Sequence, residues 1–224
     1  MPLKPGAALL FDIDGTLVNS DPLHLQAFNA VFAPRGEVFD HHRFSLELQG
    51  KSNDAIAARF LPDEPPERQR EIMMGKERAF RELAAEGVDP VAGLVPLLDW
   101  ADAQGIPAVA VTNAPRPNAD LLLEAIAATH RFKGVVIGDE LEHGKPHPLP
   151  YLEGMRLVGA DPGASLAFED SRTGIASAIA AGLTTVGVMT GLDEAALLEA
   201  GATMAVRDFG DRRVRALIEQ VLLT

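Results

Sequence analysis

Read for its apolar spacing, the chain of 224 residues divides into two unlike stretches. From residue 89 onward, short apolar runs alternate with segments whose apolar positions recur at helical spacing. The runs 108–111, 134–137, 165–168, 184–188 and 203–206 predict strands, and 94–103, 118–128, 148–158, 172–181, 193–200 and 212–223 predict helices. Gly105 and Gly159 supply helix stops. The run 7–11, Ala-Ala-Leu-Leu-Phe, predicts one further strand, closed by the turn signal Asp14-Gly15. Residues 20–88 show helical spacing only. A first helix starts at Ser20, Asp21 and Pro22, where Ser20 or Asp21 can cap, and stops near Pro34. Others cover about 40–48, 55–60 and 67–85. Apolar strands alternating with helices predict a parallel sheet covered on both faces. The expected fold is α/β: a doubly wound parallel sheet from residues 1–19 and 89–224, interrupted after its first strand by an inserted α-helical cap, 20–88.

Composition narrows the function. Hydrophobic residues make up 47%, enough for a sizeable core, and the formal net charge is −12. Such a balance argues against a general nucleic-acid or anionic-membrane surface, so neither partner is expected. An anionic substrate must then be met by local positive charge, a metal or oriented amides. The chain has no cysteine, which removes disulfides and thiolate chemistry and permits a cytoplasmic location, the expectation here. Residues 1–6 lack the apolar stretch of a signal peptide. The uncharged run 173–192 is long enough to span a bilayer, but Gly174, Gly182, Gly187 and Gly191 break it into helix, turn and strand, so it reads as core. The expected assembly is a monomer or weak homodimer.

In an open parallel sheet, ligands sit at the carboxyl ends of the strands. There the sequence puts Asp12 and Asp14, then Thr112 and Asn113, then the stiff loop Gly144-Lys145-Pro146-His147-Pro148, then Glu169 and Asp170. In an extended chain, Asp12 and Asp14 point to one side, a repulsive pair unless a cation or a shared proton relieves it. Carboxylate oxygens suit Mg²⁺, and a lysine with a hydroxyl suits phosphate. His147 reads as structural within its proline-rich loop.

These motifs, in this order and over essentially the whole chain, resemble the haloacid dehalogenase-like hydrolase superfamily, and the helical insert resembles the small cap of its phosphoglucomutase and sugar-phosphatase branch. The resemblance implies a Mg²⁺-dependent phosphatase acting on a small phosphorylated metabolite, a sugar or polyol phosphate. Asp12 would be the nucleophile that forms an aspartyl-phosphate, and Asp14 the acid/base. Thr112, Asn113 and Lys145 would hold phosphate. Mg²⁺ would be held by Asp12, the Asp14 carbonyl, Asp170 and Glu169. In the cap, His24 resembles the histidine that positions the acid/base, and Gly50, Lys51 and Ser52 resemble the loop that reads the leaving group. Arg59 and Lys76 are the further cations offered to substrate, although Lys76 sits in a charged run that reads as a solvated face. Phe28, Phe32 and Phe60 read as cap core. Alternatives are a phosphosugar mutase of the β-phosphoglucomutase kind and a non-catalytic binding or regulatory protein on the same fold. Dehalogenases and phosphonatases of the superfamily lack the second aspartate, which here is Asp14.

Overall fold

The computed structural model describes residues 2–224; Met1, the first residue of the expected core segment 1–19, lies outside the described residues. The strands are β1 (Ala8–Phe11), β2 (Ala108–Thr112), β3 (Val135–Ile137), β4 (Ser165–Glu169), β5 (Thr184–Val188) and β6 (Met204–Val206). They form one parallel sheet in the order β3-β2-β1-β4-β5-β6. Chain direction across the sheet reverses between β1 and β4, the switch point where a doubly wound sheet opens a crevice. Between β1 and β2 lie α1 (Asp21–Phe32), α2 (His41–Glu47), α3 (Asn53–Phe60), α4 (Pro66–Ala84) and α5 (Leu94–Gln104). The remaining helices are α6 (Arg116–Ala125), α7 (Leu149–Val158), α8 (Arg172–Ala180), α9 (Glu194–Glu199) and α10 (Arg212–Leu222).

Alternation along β1 decides which face each side chain serves. Leu9 and Phe11 join the large core beneath α5, α6 and α10. Ala8 and Leu10 join the opposite core with Tyr151 and Met155 of α7 and Ala178 of α8. β4 repeats this, with Leu166 and Phe168 on the first face and Ala167 on the second. Leu10 pairs with Ala167, and the same parity carried two residues further brings Asp12 beside Glu169 on the α7 side.

Helices α1 to α4 close around a cluster of their own, containing Phe28, Phe32, Phe39, Phe44, Ile56, Ile72 and Met73. The rings of Phe32, Phe39 and Phe60 meet edge to face. The chain enters this helical layer at Val18 and returns at Pro90, and these two segments bridge each other. The Val91 N–H donates to the Leu17 carbonyl at 2.8 Å.

Two local expectations change. The helix expected over 118–128 runs Arg116–Ala125 instead. Pro117 fits its first turn, where no N–H partner is needed, and Ala127 takes a left-handed φ of 52° that ends it. Ser20 occupies the N-cap position of α1 but makes no capping bond with its side chain; its hydroxyl serves Asp14.

Candidate active site

Asp12 stands one residue past β1, and its N–H donates to the Phe168 carbonyl at 3.0 Å, tying it to β4. Lys145 reaches it from the loop before α7. The ammonium donates to Asp12 Oδ1 at 2.7 Å, to Glu169 Oε1 at 2.6 Å and to the Val111 carbonyl at 2.7 Å. Glu169, wholly buried, also accepts from the Tyr151 hydroxyl at 2.7 Å, and the lysine stands 5.1 Å over the Tyr151 ring. Asp12, Glu169 and Asp170 offer carboxylate oxygens within 4.8 Å of one another. Burial pushes the Asp12 carboxyl up to about 8, against the pull of Lys145. Asp170 lies well above its ordinary range, first through burial and then through Asp21 and Asp12. Burial opposes charge on Lys145 too, but Asp12 and Glu169 more than reverse it and raise its proton affinity.

Asp14 does not share this cluster. The strand ends at Phe11, and the chain turns so that Thr16 and Leu17 N–H groups donate to the Ile13 carbonyl. Asp12 and Asp14 still face one side, as expected, and the charge of Asp14 adds to the rise at Asp12. Both line one cavity of about 90 Å³, but they answer to different neighbours. Asp14 Oδ1 accepts from the Ser20 hydroxyl at 2.7 Å and from His24 Nε2 at 2.9 Å; its buried Oδ2 has no partner among the described residues. Burial raises Asp14, but His24, the Ser20 hydrogen bond and the Lys76 charge together outweigh it, and the carboxyl ends below its usual value. Gly15 follows at φ 78°, and a Cβ there would run into the Asp170 carboxylate, so glycine suits both the turn and the close approach of that side chain.

The helical layer supplies the rest. The His24 ring stacks on Phe80, with centroids 3.9 Å apart, and its Nδ1 meets the Lys76 ammonium at 2.9 Å. Lys76 is buried, a correction to the solvated face read from its charged run, because its ammonium lies 4.3 Å over the Phe28 ring and 3.1 Å from Glu77 Oε1. Phe28 is cap core as expected, yet it also lines the cavity.

Gly50 and Lys51 line the cavity. The Lys51 ammonium is turned onto the Leu46 and Glu47 carbonyls at the end of α2. Ser52 lies outside the cavity lining: its hydroxyl caps α3 by accepting from the Ala55 N–H at 3.3 Å, the role its sequence position favours. Arg59 likewise stays outside, paired with Glu47 at 2.8 Å. The Thr112 hydroxyl accepts from the Ala114 N–H at 2.9 Å and lines the cavity. The Asn113 amide bonds both the N–H and the carbonyl of Lys145, bracing the lysine loop, and reaches the Gly50 carbonyl at 3.4 Å. His147 is structural, accepting from the Leu149 N–H while its carbonyl accepts from Ser177.

Several residues escaped the sequence reading. Tyr151 had a signal, the single tyrosine two residues inside a helix after the lysine loop, but nothing in the sequence pairs it with Glu169. Gln49 donates to Asp170 Oδ2 at 2.8 Å and to Asp21 Oδ2 at 3.0 Å, joining the helical layer to the sheet edge. Asp21, read as a cap, is a half-buried neighbour of the site, pushed up to about 7 by desolvation and then by Asp14.

Fold and site together define a doubly wound α/β enzyme with a buried carboxylate–lysine centre at the switch point of its sheet, roofed by helices. The haloacid dehalogenase-like hydrolase family matches residues 7–182. The CbbY protein of Rhodobacter capsulatus is 36% identical over 189 residues, 80% of this chain and 83% of that one. A phosphorylated carbohydrates phosphatase of Thermotoga maritima is 29% identical over 206 residues, 89% of this chain and 94% of that one. The crystal structure of CbbY from Rhodobacter sphaeroides in complex with phosphate superimposes with a TM-score of 0.80 at 30% identity, covering 91% of this chain and 95% of that chain. The chain belongs to the haloacid dehalogenase-like hydrolase family.

Proposed function

We propose that this haloacid dehalogenase-like phosphatase hydrolyses the phosphate monoester of a small sugar or polyol, with Mg²⁺, through an aspartyl-phosphate on Asp12. The observation that carries the reading is the charge imbalance at the sheet edge. Three buried carboxylates, Asp12, Glu169 and Asp170, converge around Lys145, and Asp12 and Asp170 are pushed toward the protonated state. An all-oxygen set with surplus negative charge fits a hard divalent cation. Asp12, Asp170 and Glu169, with the Asp14 carbonyl, would hold Mg²⁺, which supplies charge neutralisation for the nucleophile and the phosphoryl group when bound.

The chain's own residues perform the rest of this reading. An Asp12 oxygen attacks phosphorus as the ester P–O bond breaks, and Asp14 gives a proton to the departing alkoxide. Water then attacks the aspartyl-phosphate, Asp14 takes its proton, and Asp12 is released. A carboxyl held below its usual range suits the base step; the charge of an incoming phosphate pushes Asp14 back up for the acid step. Thr112, Asn113 and Lys145 surround the phosphate. Residues 20–88 act as the cap on a core of 1–19 and 89–224, with the crossing at Val18 and Pro90 as its hinge. Gly50 and Lys51 face the leaving group, while His24 and Lys76 orient Asp14.

A mutase needs a second cationic seat for a distal phosphate. Here Arg59 is paired away from the cavity, Lys51 is spent on helix carbonyls, and Lys76 is enclosed by His24, Glu77 and Phe28. The phosphatase reading is therefore preferred. Phosphate release from a panel of sugar and polyol phosphates, with Mg²⁺ or EDTA and with or without a bisphosphate primer, tests it. Mg²⁺-dependent phosphate release is expected; primer-dependent isomer formation without free phosphate would overturn it.

A further inference from the structure

One buried acid has no part in the chemistry above. Glu77, 6% exposed on α4, follows Lys76 directly. Its Oε1 accepts from the Lys76 ammonium at 3.1 Å and from the Asn53 amide at 2.8 Å, and its Oε2 accepts from the Asn118 amide at 2.6 Å. Asn118 lies on α6, beside the sheet, and is wholly buried. Its carbonyl oxygen accepts from Arg81 Nη1 at 2.8 Å. A single amide of the core is thus held between Glu77 and Arg81, one helical turn apart on α4, its donor face to the acid and its acceptor face to the base.

The same carboxylate controls which way a proton faces. A lysine ammonium only donates. Held by Glu77 on one side, Lys76 donates to His24 Nδ1 on the other, which leaves Nε2 as the nitrogen carrying hydrogen and Asp14 Oδ1 as its acceptor. This order leaves Asp14 Oδ2 as the oxygen free to exchange a proton with substrate.

We propose that Glu77 is a positioning residue that joins two events: docking of the helical layer on Asn118, and alignment of Lys76 and His24 so that Asp14 is ready as acid/base. The proposal rests on the phosphatase reading above. Without Glu77, Lys76 keeps its aromatic seat but loses the partner that aims it, and the imidazole is free to take the other tautomer. Asn118 acts through Glu77 and touches neither Lys76 nor His24 in the hydrogen-bond network.

The test compares phenyl phosphate, whose leaving group needs a proton, with 2,4-dinitrophenyl phosphate, whose leaving group departs without one. kcat/KM, which reports the steps up to departure of the leaving group, is measured with Mg²⁺ for the wild type, Glu77→Ala, Glu77→Gln and Asn118→Ala. Glu77→Ala is expected to lower kcat/KM for phenyl phosphate about 10- to 100-fold more than for the dinitrophenyl ester, the scale of general acid catalysis. Asn118→Ala is expected to show the same selectivity, and the double variant to be no worse than Glu77→Ala alone. Taking the ratio of two substrates within one variant cancels any loss of folded protein, and Glu77→Gln keeps the shape if the alanine variant does not fold. Equal falls on both esters, or none, would overturn the role of Glu77 while leaving the phosphatase reading intact. A wild type that hydrolyses neither ester would overturn the phosphatase reading itself.

Discussion

Two lysines are buried among the described residues, one on each side of the cleft, and they are neutralised in opposite ways. Lys145, on the sheet side, bonds two carboxylates directly, and a third, Asp170, stands close by. The cluster carries more negative charge than its lysine answers, and the proton affinities of Asp12 and Asp170 rise. Lys76, on the helical side, meets one carboxylate, one imidazole and the faces of Phe28 and Phe80. There the carboxyls of Asp14 and Glu77 both fall below their ordinary values, chiefly because hydrogen bonds and the Lys76 charge outweigh burial. On the proposed function, the first site takes a further cation and a covalent bond, and the second holds a proton donor steady.

The largest effect expected is at Asp12, the proposed nucleophile. Asp12→Asn should lower phosphate release by roughly four orders of magnitude or more, as losing a residue at the centre of a catalytic unit does. Unchanged turnover in that variant would remove the covalent step and with it the distinction between the two clusters.

Replacing each lysine by methionine measures the difference in stability. Lys145→Met strands Asp12 and Glu169 without a cation and should cost about 3–5 kcal/mol. Lys76→Met leaves Glu77 with its two amide partners and places a thioether against two phenyl rings, so about 1–2 kcal/mol is expected. Urea unfolding of the metal-free proteins checks both. Equal costs would mean that the aromatic seat gives Lys76 no advantage.

The sheet cluster was more legible in the sequence than the helical one for a physical reason. Strand parity and the switch-point rule place Asp12, Thr112, Lys145, Glu169 and Asp170 on one edge whatever the surrounding packing. The helical layer has no such rule. Lys76 lies inside Lys-Glu-Arg, a pattern normally exposed, and its burial depends on Phe28 and Phe80 from different turns of two helices. That Asp12 and Asp14 face one side was legible, but the Ser20 and His24 partners that set Asp14 apart come from the helical layer and cannot be foreseen from spacing alone. Gln49, a neutral residue between helices, carries no signal in sequence, yet it spans the two halves.

The clusters should also titrate in different windows. A carboxyl raised by folding contributes stability that is full below its unfolded pKa and lost as pH rises through the folded value. For Asp12, raised from 3.8 to about 8, and Asp21, raised to about 7, that loss runs from about pH 4 to pH 8. Asp14 and Glu77, both lowered, contribute stability that is present above the unfolded value and lost only in acid. Metal-free protein should therefore show a Tm that falls between pH 5 and pH 8, within the window set by those raised carboxyls. Mg²⁺ should raise Tm more at pH 8 than at pH 5, because it binds the ionised form. A Mg²⁺ shift equal at both ends would place the ion away from Asp12.

The smallest effect expected sits outside both clusters and tests whether charge in the helical layer matters by itself. Arg59 pairs with Glu47 at 2.8 Å while 56% exposed, and Glu47 keeps a second partner in Arg43 at 3.0 Å. An exposed pair of this kind contributes about 0.2–1 kcal/mol. Arg59→Ala should thus change unfolding free energy by less than about 1 kcal/mol and leave kcat and KM for small sugar phosphates unchanged. A KM that rises tenfold would bring Arg59 into the substrate site, supply the distal cationic seat that the cavity lacks, and move the balance from phosphatase toward mutase.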